Sequence, residues 1–154
     1  MNRVEANITR LFYVNLRHKK AKIQTNLSIA KASLVNKKTT SDLNALIIDS
    51  IQDIKGKNIV KLDLTELDES PADYFIICEG DSVTQIKAIS NNINKRLKEE
   101  QGQIPNHTEG IEGSQWILVD YFNTVVHIFH PEKRKFYEIE ELWSDAKQTS
   151  YADL

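Results

Sequence analysis

Residues 115–130 read QWILVDYFNTVVHIFH: two apolar runs joined by Phe122-Asn123. Runs of this length, rich in Val, Ile and aromatics and split by two residues, predict an antiparallel hairpin with strands 115–121 and 124–130. A two-residue turn pairs Tyr121 with Thr124, Asp120 with Val125, Leu118 with His127 and Trp116 with Phe129. Alternation then sorts the side chains onto two faces. Ile117, Val119, Tyr121, Thr124, Val126 and Ile128 form an ordinary core face. Trp116, Leu118, Asp120, Val125, His127 and Phe129 form the other, which mixes large aromatics with one carboxylate and one imidazole. Two accounts fit that second face. Either a helix covers it and Asp120 and His127, as diagonal neighbours, satisfy each other, or it is partly open and docks a partner.

Upstream of the hairpin the signals are regular. Ser41 is placed to cap a helix whose Leu43, Leu46, Ile47, Ile51 and Ile54 recur at helical spacing, with Gly56 ending it. Asn58 to Leu64 reads as a strand, and residues 65–72 as a loop containing Ser70 and Pro71. Asp73 to Cys78 is a second strand, apolar enough at its centre to be covered on both faces. Gly80 breaks it, and Asp81 or Ser82 caps a long helix to about Glu100. Ile86, Ile89, Ile93 and Leu97 form that helix's buried stripe. Residues 101–114, with three glycines and Pro105, read as a loop. Downstream of the hairpin, the acidic segment 138–147 predicts a short final helix with Leu142 and Trp143 turned inward. The order is α-β-β-α-β-β-α: a single α/β domain with a mixed β-sheet flanked by helices.

The chain has 154 residues, 40% hydrophobic and 27% charged, which suits one domain with a core of its own. No run of about 18 apolar residues is present to span a membrane. The lone Cys78 excludes a disulfide framework or a multi-cysteine zinc site. The net charge of −2 hides a division. Residues 1–38 hold nine Lys/Arg and one acid, whereas residues 39–154 hold eleven and twenty-one. Three regions follow: a basic, disordered extension over 1–38, the folded domain over 39–147 and a tail over 148–154. Within the extension, Val4, Ile8, Leu11, Phe12 and Leu16 share one helical side beside Arg3, Arg10 and Arg17. That pattern fits a mitochondrial import segment as well as a plain basic arm.

Candidate chemistry is sparse. Cys78 lies in an apolar strand, where a thiol behaves as a small hydrophobe. His107 falls in a loop, His130 at a strand end and His18 in the extension, and no metal-binding histidine spacing or phosphate-binding glycine loop occurs. The acidic domain is not expected to bind nucleic acid directly. One enzyme pattern is present in outline. A strand, then Gly80-Asp81-Ser82 opening a helix, then a later strand bearing Asp120 resembles nucleotidyltransferases, in which a Gly-Ser turn holds phosphates and paired carboxylates hold metal ions. Here Leu118 and Phe122 occupy the positions two residues either side of Asp120, so a second carboxylate is missing. The likeness is to a nucleotidyltransferase-like scaffold rather than to a working site.

The ordered motifs resemble the ribosomal silencing factor family (RsfS, Iojap-like) from about Asp42 to Ala146. Residues 73–82, DYFIICEGDS, are similar to the family's D-Y-F-V-I-C-T-G-N-S stretch. Gln85, Ala88 and Ile89 follow, then Glu109-Gly110, and Trp116 to Tyr121 resembles the family's W-x-L-x-D-Y signature. Val125 to Phe129, Arg134, Phe136-Tyr137 and Leu142 to Ala146 complete the series. Three departures stand out: Phe122-Asn123 where the family usually has Gly-Asp, charged Glu79 and Asp81, and the basic extension. Phe at the first turn position would strain a type I′ geometry.

The resemblance implies a non-enzymatic protein needing no cofactor or metal, cytoplasmic in bacteria, or in the mitochondrial matrix or plastid if residues 1–38 direct import. It implies binding to the large ribosomal subunit through a basic ribosomal protein at the inter-subunit face, blocking subunit association and repressing translation. Members are often homodimers, and organellar relatives act in large-subunit biogenesis. It also favours the second account of the hairpin face, with Trp116, Leu118, Asp120, His127 and Phe129 as the ribosomal-protein-binding residues and little nucleic-acid contact by the domain. The alternative is a nucleotide-binding, nucleotidyltransferase-like enzyme.

Overall fold

The computed structural model describes residues 28–68 and 70–154. The expectations for residues 1–27, including the Arg stripe, lie outside them. The elements are α1 (Ser28–Asp53), β1 (Lys57–Asp63), β2 (Tyr74–Glu79), α2 (Val83–Gln101), β3 (His107–Glu109), β4 (Trp116–Asp120), β5 (Thr124–Phe129), α3 (Pro131–Tyr137), α4 (Ile139–Leu142) and β6 (Lys147–Ser150). The strands form one mixed sheet in the order β3-β4-β5-β2-β1-β6. Only β2 and β5 run parallel; the remaining neighbours are antiparallel.

The hairpin has the register expected from its turn: Trp116 opposes Phe129, Leu118 opposes His127 and Asp120 opposes Val125. Its tip is tighter than a type I′ turn. Phe122 takes the left-handed conformation at φ 65°, and the Asn123 N–H donates to the Tyr121 carbonyl at 2.9 Å. A three-residue turn with positive φ at its centre is rare and strained, and a side chain there adds to the cost. Two contacts hold it: the Asp120 carboxylate accepts the Phe122 N–H at 2.7 Å, and the Asn123 carbonyl accepts the N–H groups of Asp73 and Tyr74, both at 2.9 Å.

Each face of the sheet carries its own core. Ile47, Ile51, Ile59, Ile76, Cys78, Ile86, Ile89, Ile93, Leu97, Ile117, Val119, Val126 and Ile128 pack together where α1 and α2 lie. Val60, Leu62, Leu64, Phe75, Ile77, Trp116, Leu118, Val125, Phe129 and Ile139 pack together on the opposite face. Strand β2 feeds both, which explains its continuous apolar run. Helix α2 begins at one of the two caps expected for it and runs one residue past the expected end. Ser82 accepts the Gln85 N–H at 3.2 Å, and Gly102 closes the other end in the left-handed conformation. Burying each large residue of its stripe contributes about 1.5–3 kcal/mol.

Several boundaries differ from expectation. Helix α1 passes through Ser41, so Ser41 is not its cap, and the boundary expected at residue 39 falls inside the helix. At its other end Lys55, not Gly56, adopts positive φ (58°). Gly56 is needed for space instead, since a Cβ there would lie 2.3 Å from the Ile51 Cγ2. The loop expected over 101–114 contains β3, three residues paired to β4. The final helix expected over 138–147 shrinks to the four residues of α4, with α3 before it and β6 beginning at Lys147. Pro131 opens α3, and Glu138 at φ 45° separates it from the single turn of α4. Leu142 is exposed rather than turned inward, whereas Trp143 is half-buried against the core. The expected tail forms most of β6, an exposed edge strand on β1. No described helix is long and apolar enough to cross a membrane.

Replacing the strained residue should raise stability. Phe122→Gly is expected to add about 1 kcal/mol, seen as a higher urea midpoint at unchanged m-value. An unchanged or lower midpoint would mean that the aromatic ring contributes more to the fold than its backbone strain costs.

Candidate functional site

The five residues expected to contact a partner do converge on one sheet face, and all are buried. Trp116 is 9% exposed, Leu118 and Asp120 1%, and His127 and Phe129 0%. What covers them is the segment after β5. Tyr137 lies on Trp116 with ring centroids 4.7 Å apart, and Phe129 stacks on its own side of Trp116, also at 4.7 Å. Trp143 meets Phe75 edge-on at 5.8 Å, and Phe75 in turn meets His127 at 4.8 Å. His127 and Phe129 are fully enclosed, and of the five only Trp116 keeps a measurable exposed edge, beside Tyr137 of α3.

Asp120 and His127 do not satisfy each other. The Asp120 carboxylate turns to the hairpin tip, accepting the Phe122 N–H, with the Asn106 amide at 3.4 Å. His127 Nδ1 accepts the Trp116 indole N–H at 3.2 Å, which places the neutral ring's proton on Nε2. Complete burial pushes the His127 pKa down to about 3, because the imidazolium would lose its hydration. The residue is therefore a neutral hydrogen-bond acceptor for Trp116, not a general acid or base near neutral pH. Burial likewise pushes the Cys78 thiol up to about 12, leaving it a core side chain.

A polar clamp that sequence reasoning missed holds the covering segment. Arg134 reaches Glu140 through Nε at 2.8 Å and Nη2 at 2.5 Å, Glu79 at 3.2 Å and the Asn58 carbonyl at 2.7 Å. The Asn58 amide completes the group by donating to Glu79 at 2.8 Å. Arg134 and Glu79 are largely buried, so a forked, charge-assisted set of bonds ties α3 and α4 to β1 and β2. Glu79, unusual by resemblance, thus has a partner in this chain. Arg134 was the available signal, standing within the motif run before Phe136-Tyr137. Gly110 also acquires a reason: at φ 84°, a Cβ there would sit 2.0 Å from the Trp116 carbonyl oxygen.

The nucleotidyltransferase outline is not brought together. Gly80 donates to the Phe129 carbonyl at one end of β5, while Asp120 opposes Val125 near the other. Four residues of strand separate them by about 13 Å. Asp81 pairs with Lys57 at 2.7 Å, and the Ser82 hydroxyl caps α2. Among the described residues no three His, Cys, Asp or Glu side chains cluster as a metal would need.

These features define an α/β domain whose recognisable polar residues brace a covered sheet face rather than surround a reacting atom. Residues 37–154 match the family model described as ribosomal silencing factor during starvation, and the chain belongs to that family. It is 35% identical over 108 residues to a ribosomal silencing factor of Halalkalibacterium halodurans, covering 70% of this chain and 91% of that protein. A ribosomal silencing factor of Chromobacterium violaceum is 40% identical over 106 residues, 69% of this chain and 85% of that one. A crystal structure of a Chromobacterium violaceum protein superposes with a TM-score of 0.64 at 38% identity, covering 73% of this chain and 92% of that one.

The buried imidazole predicts acid sensitivity with a definite sign. Below pH 6.5 the unfolded chain binds a proton at His127 that the folded chain does not, so stability falls as pH drops from 6.5 towards 3. The slope from this group is about 1.4 kcal/mol per pH unit. In His127→Leu, the stability difference between pH 7 and pH 5 should shrink by about 2 kcal/mol in urea titrations. Equal differences in parent and variant would show that His127 does not carry the effect.

Proposed function

We propose that this chain is a ribosomal silencing factor that binds the large ribosomal subunit and prevents the small subunit from joining it, lowering translation. The observation that carries this reading is the family match over residues 37–154 on a domain of acidic surface. Residues 39–154 hold twenty-one acids against eleven Lys/Arg. Such a surface repels bare RNA and attracts a cationic protein, which favours a basic ribosomal protein at the inter-subunit face as the contact. The domain would act as a steric block, a role that requires a rigid shape and no reaction. Trp116, Leu118, His127 and Phe129 would serve that contact from the sheet face that carries α3 and α4, and Asp120 from the hairpin tip, where it holds the Phe122 turn. Action in the bacterial cytoplasm is the reading for the domain, and an import role for residues 1–38 would move the same function to an organelle.

Full-length protein should co-sediment with free large subunits, leave intact ribosomes unbound and reduce subunit joining in light-scattering assays. No affinity for large subunits would remove the proposal. Titration with nucleoside triphosphates and magnesium addresses the enzymatic alternative, and binding at micromolar levels would revive it. Trp116→Ala and Asp120→Ala are expected to weaken subunit binding only in step with their loss of folded protein, as followed by circular dichroism. A folded Trp116→Ala variant that no longer binds would restore Trp116 as a direct contact.

A further inference from the structure

A cleft of about 690 Å3 lies between α1 and the strands β1 and β2, with Tyr151 closing it just past β6. Its floor is a diagonal row of three side chains, Tyr74, Lys61 and Tyr151. The register sets that row. Lys61 opposes Ile76 on β2 and Thr149 on β6, so Tyr74 and Tyr151 each stand two residues from its partners and on the same face. The Lys61 Nζ lies 5.9 Å from the Tyr74 ring centroid and 6.0 Å from that of Tyr151. The wall is a stripe of α1 on which Ser41, Asn44 and Ile48 follow at helical spacing. The size suits a small organic ligand.

The cleft holds more donors than acceptors. Lys61 is half-buried and makes no ion pair among the described residues. Asn44 is only 4% exposed, and its Oδ1 accepts the Thr124 hydroxyl at 2.6 Å. That leaves the Asn44 amide N–H groups without an acceptor among the described residues. Burial first, then Asp63 and Asp73, push the Tyr74 hydroxyl pKa up, so it stays a protonated donor. The carboxylates of the lining are engaged elsewhere: Asp49 and Glu100 each accept from Arg96 at 2.7 Å. Asp63, two residues along β1, accepts from Thr65 and faces Lys147 on β6. Over the lining, Lys61 and Arg96 balance Asp49 and Glu100, so the attraction for an anion is local to Lys61. Enclosed donors without an acceptor favour a ligand that supplies one, and the tyrosine faces favour a flat ring beside it. We propose that this cleft binds a small organic oxyanion, a carboxylate or phosphate ester borne on a flat ring, with the oxyanion on Lys61 and the Asn44 amide and the ring against Tyr74 and Tyr151. The site includes neither the Gly80–Ser82 turn nor Asp120, and it does not rest on the silencing function proposed above.

The test uses the full chain, isotope-labelled for NMR, with AMP and benzoate as probes and no magnesium. A monophosphate without metal keeps the measurement apart from the enzymatic alternative. At least one probe is expected to shift the Asn44 side-chain amide signals and the backbone signals of Lys61, Tyr74 and Tyr151, with millimolar affinity or tighter. Lys61→Met should weaken that binding about tenfold while the melting temperature stays within a few degrees of the parent. Lys87→Met, at an exposed residue of α2 outside the cleft, should change it less than about twofold. Binding of AMP alone would make a nucleotide the source of the oxyanion, and binding of benzoate as well would admit any ring-bearing one. Inorganic phosphate binding these residues as tightly as AMP would show that no ring is recognised and would overturn the proposal. So would unmoved signals with both probes at millimolar concentration, or undiminished binding by a folded Lys61→Met. Should Lys61→Met fail to fold, the Asn44 amide shift in the parent decides, since it needs no variant.

Discussion

The structure turns on the carbonyl of Asn123, which receives the N–H groups of both Asp73 and Tyr74. That pair of bonds anchors the entrance of β2 to the tip of the β4–β5 hairpin and sets Tyr74 opposite Thr124 in the sheet's only parallel pairing. Parallel strands have no tight turn to align them, so their register depends on contacts of this kind. Bringing the carbonyl into place requires the sharp turn at Phe122. Asp120, buried and fixed on β4, offsets part of that strain by accepting the Phe122 N–H. A slip of one residue here would exchange the two faces of β5, sending His127 towards α1 and α2 and Val126 towards α3 and α4.

With the register set, the two sides of the sheet play different parts. On the side of α1 and α2, aliphatic residues interdigitate under long amphipathic helices. On the other side aromatic rings meet short helices that bury little by themselves: α3 and α4 total eleven residues, and Ile139 alone is fully inside. Their attachment therefore relies on Tyr137 and Trp143 and on the Arg134 clamp. The neutral His127, accepting from Trp116, keeps the only indole N–H at the base of this cover satisfied without introducing a charge.

The steric role proposed for this chain asks for a domain of fixed outline. The polar residues of the motif run are consistent with that demand. Asp120 holds a turn, Arg134 and Glu79 hold helices, Ser82 caps a helix, and Gly110 permits the backbone to pass beside Trp116.

Much of this was legible in the sequence and some was not. The hairpin pairing followed from a two-residue turn between alternating runs, and helix α2 from Ser82 and the Ile86 to Leu97 stripe. Both are local rules, acting within one turn or one strand pair. Strand β6 had no such signal, because Lys147 to Ser150 is exposed throughout and is strand only by pairing with β1. The pairing of Arg134 with Glu79 joins residues 55 apart and leaves no trace in periodicity. Alternation placed Trp116, Leu118, Asp120, His127 and Phe129 on one face, and there its reach ended. Whether that face meets water or protein depends on where residues 131–146 fold back. That was decided only when Tyr137 and Trp143 found Trp116 and Phe75, because side-chain period specifies a direction and only the rest of the chain specifies what lies in it.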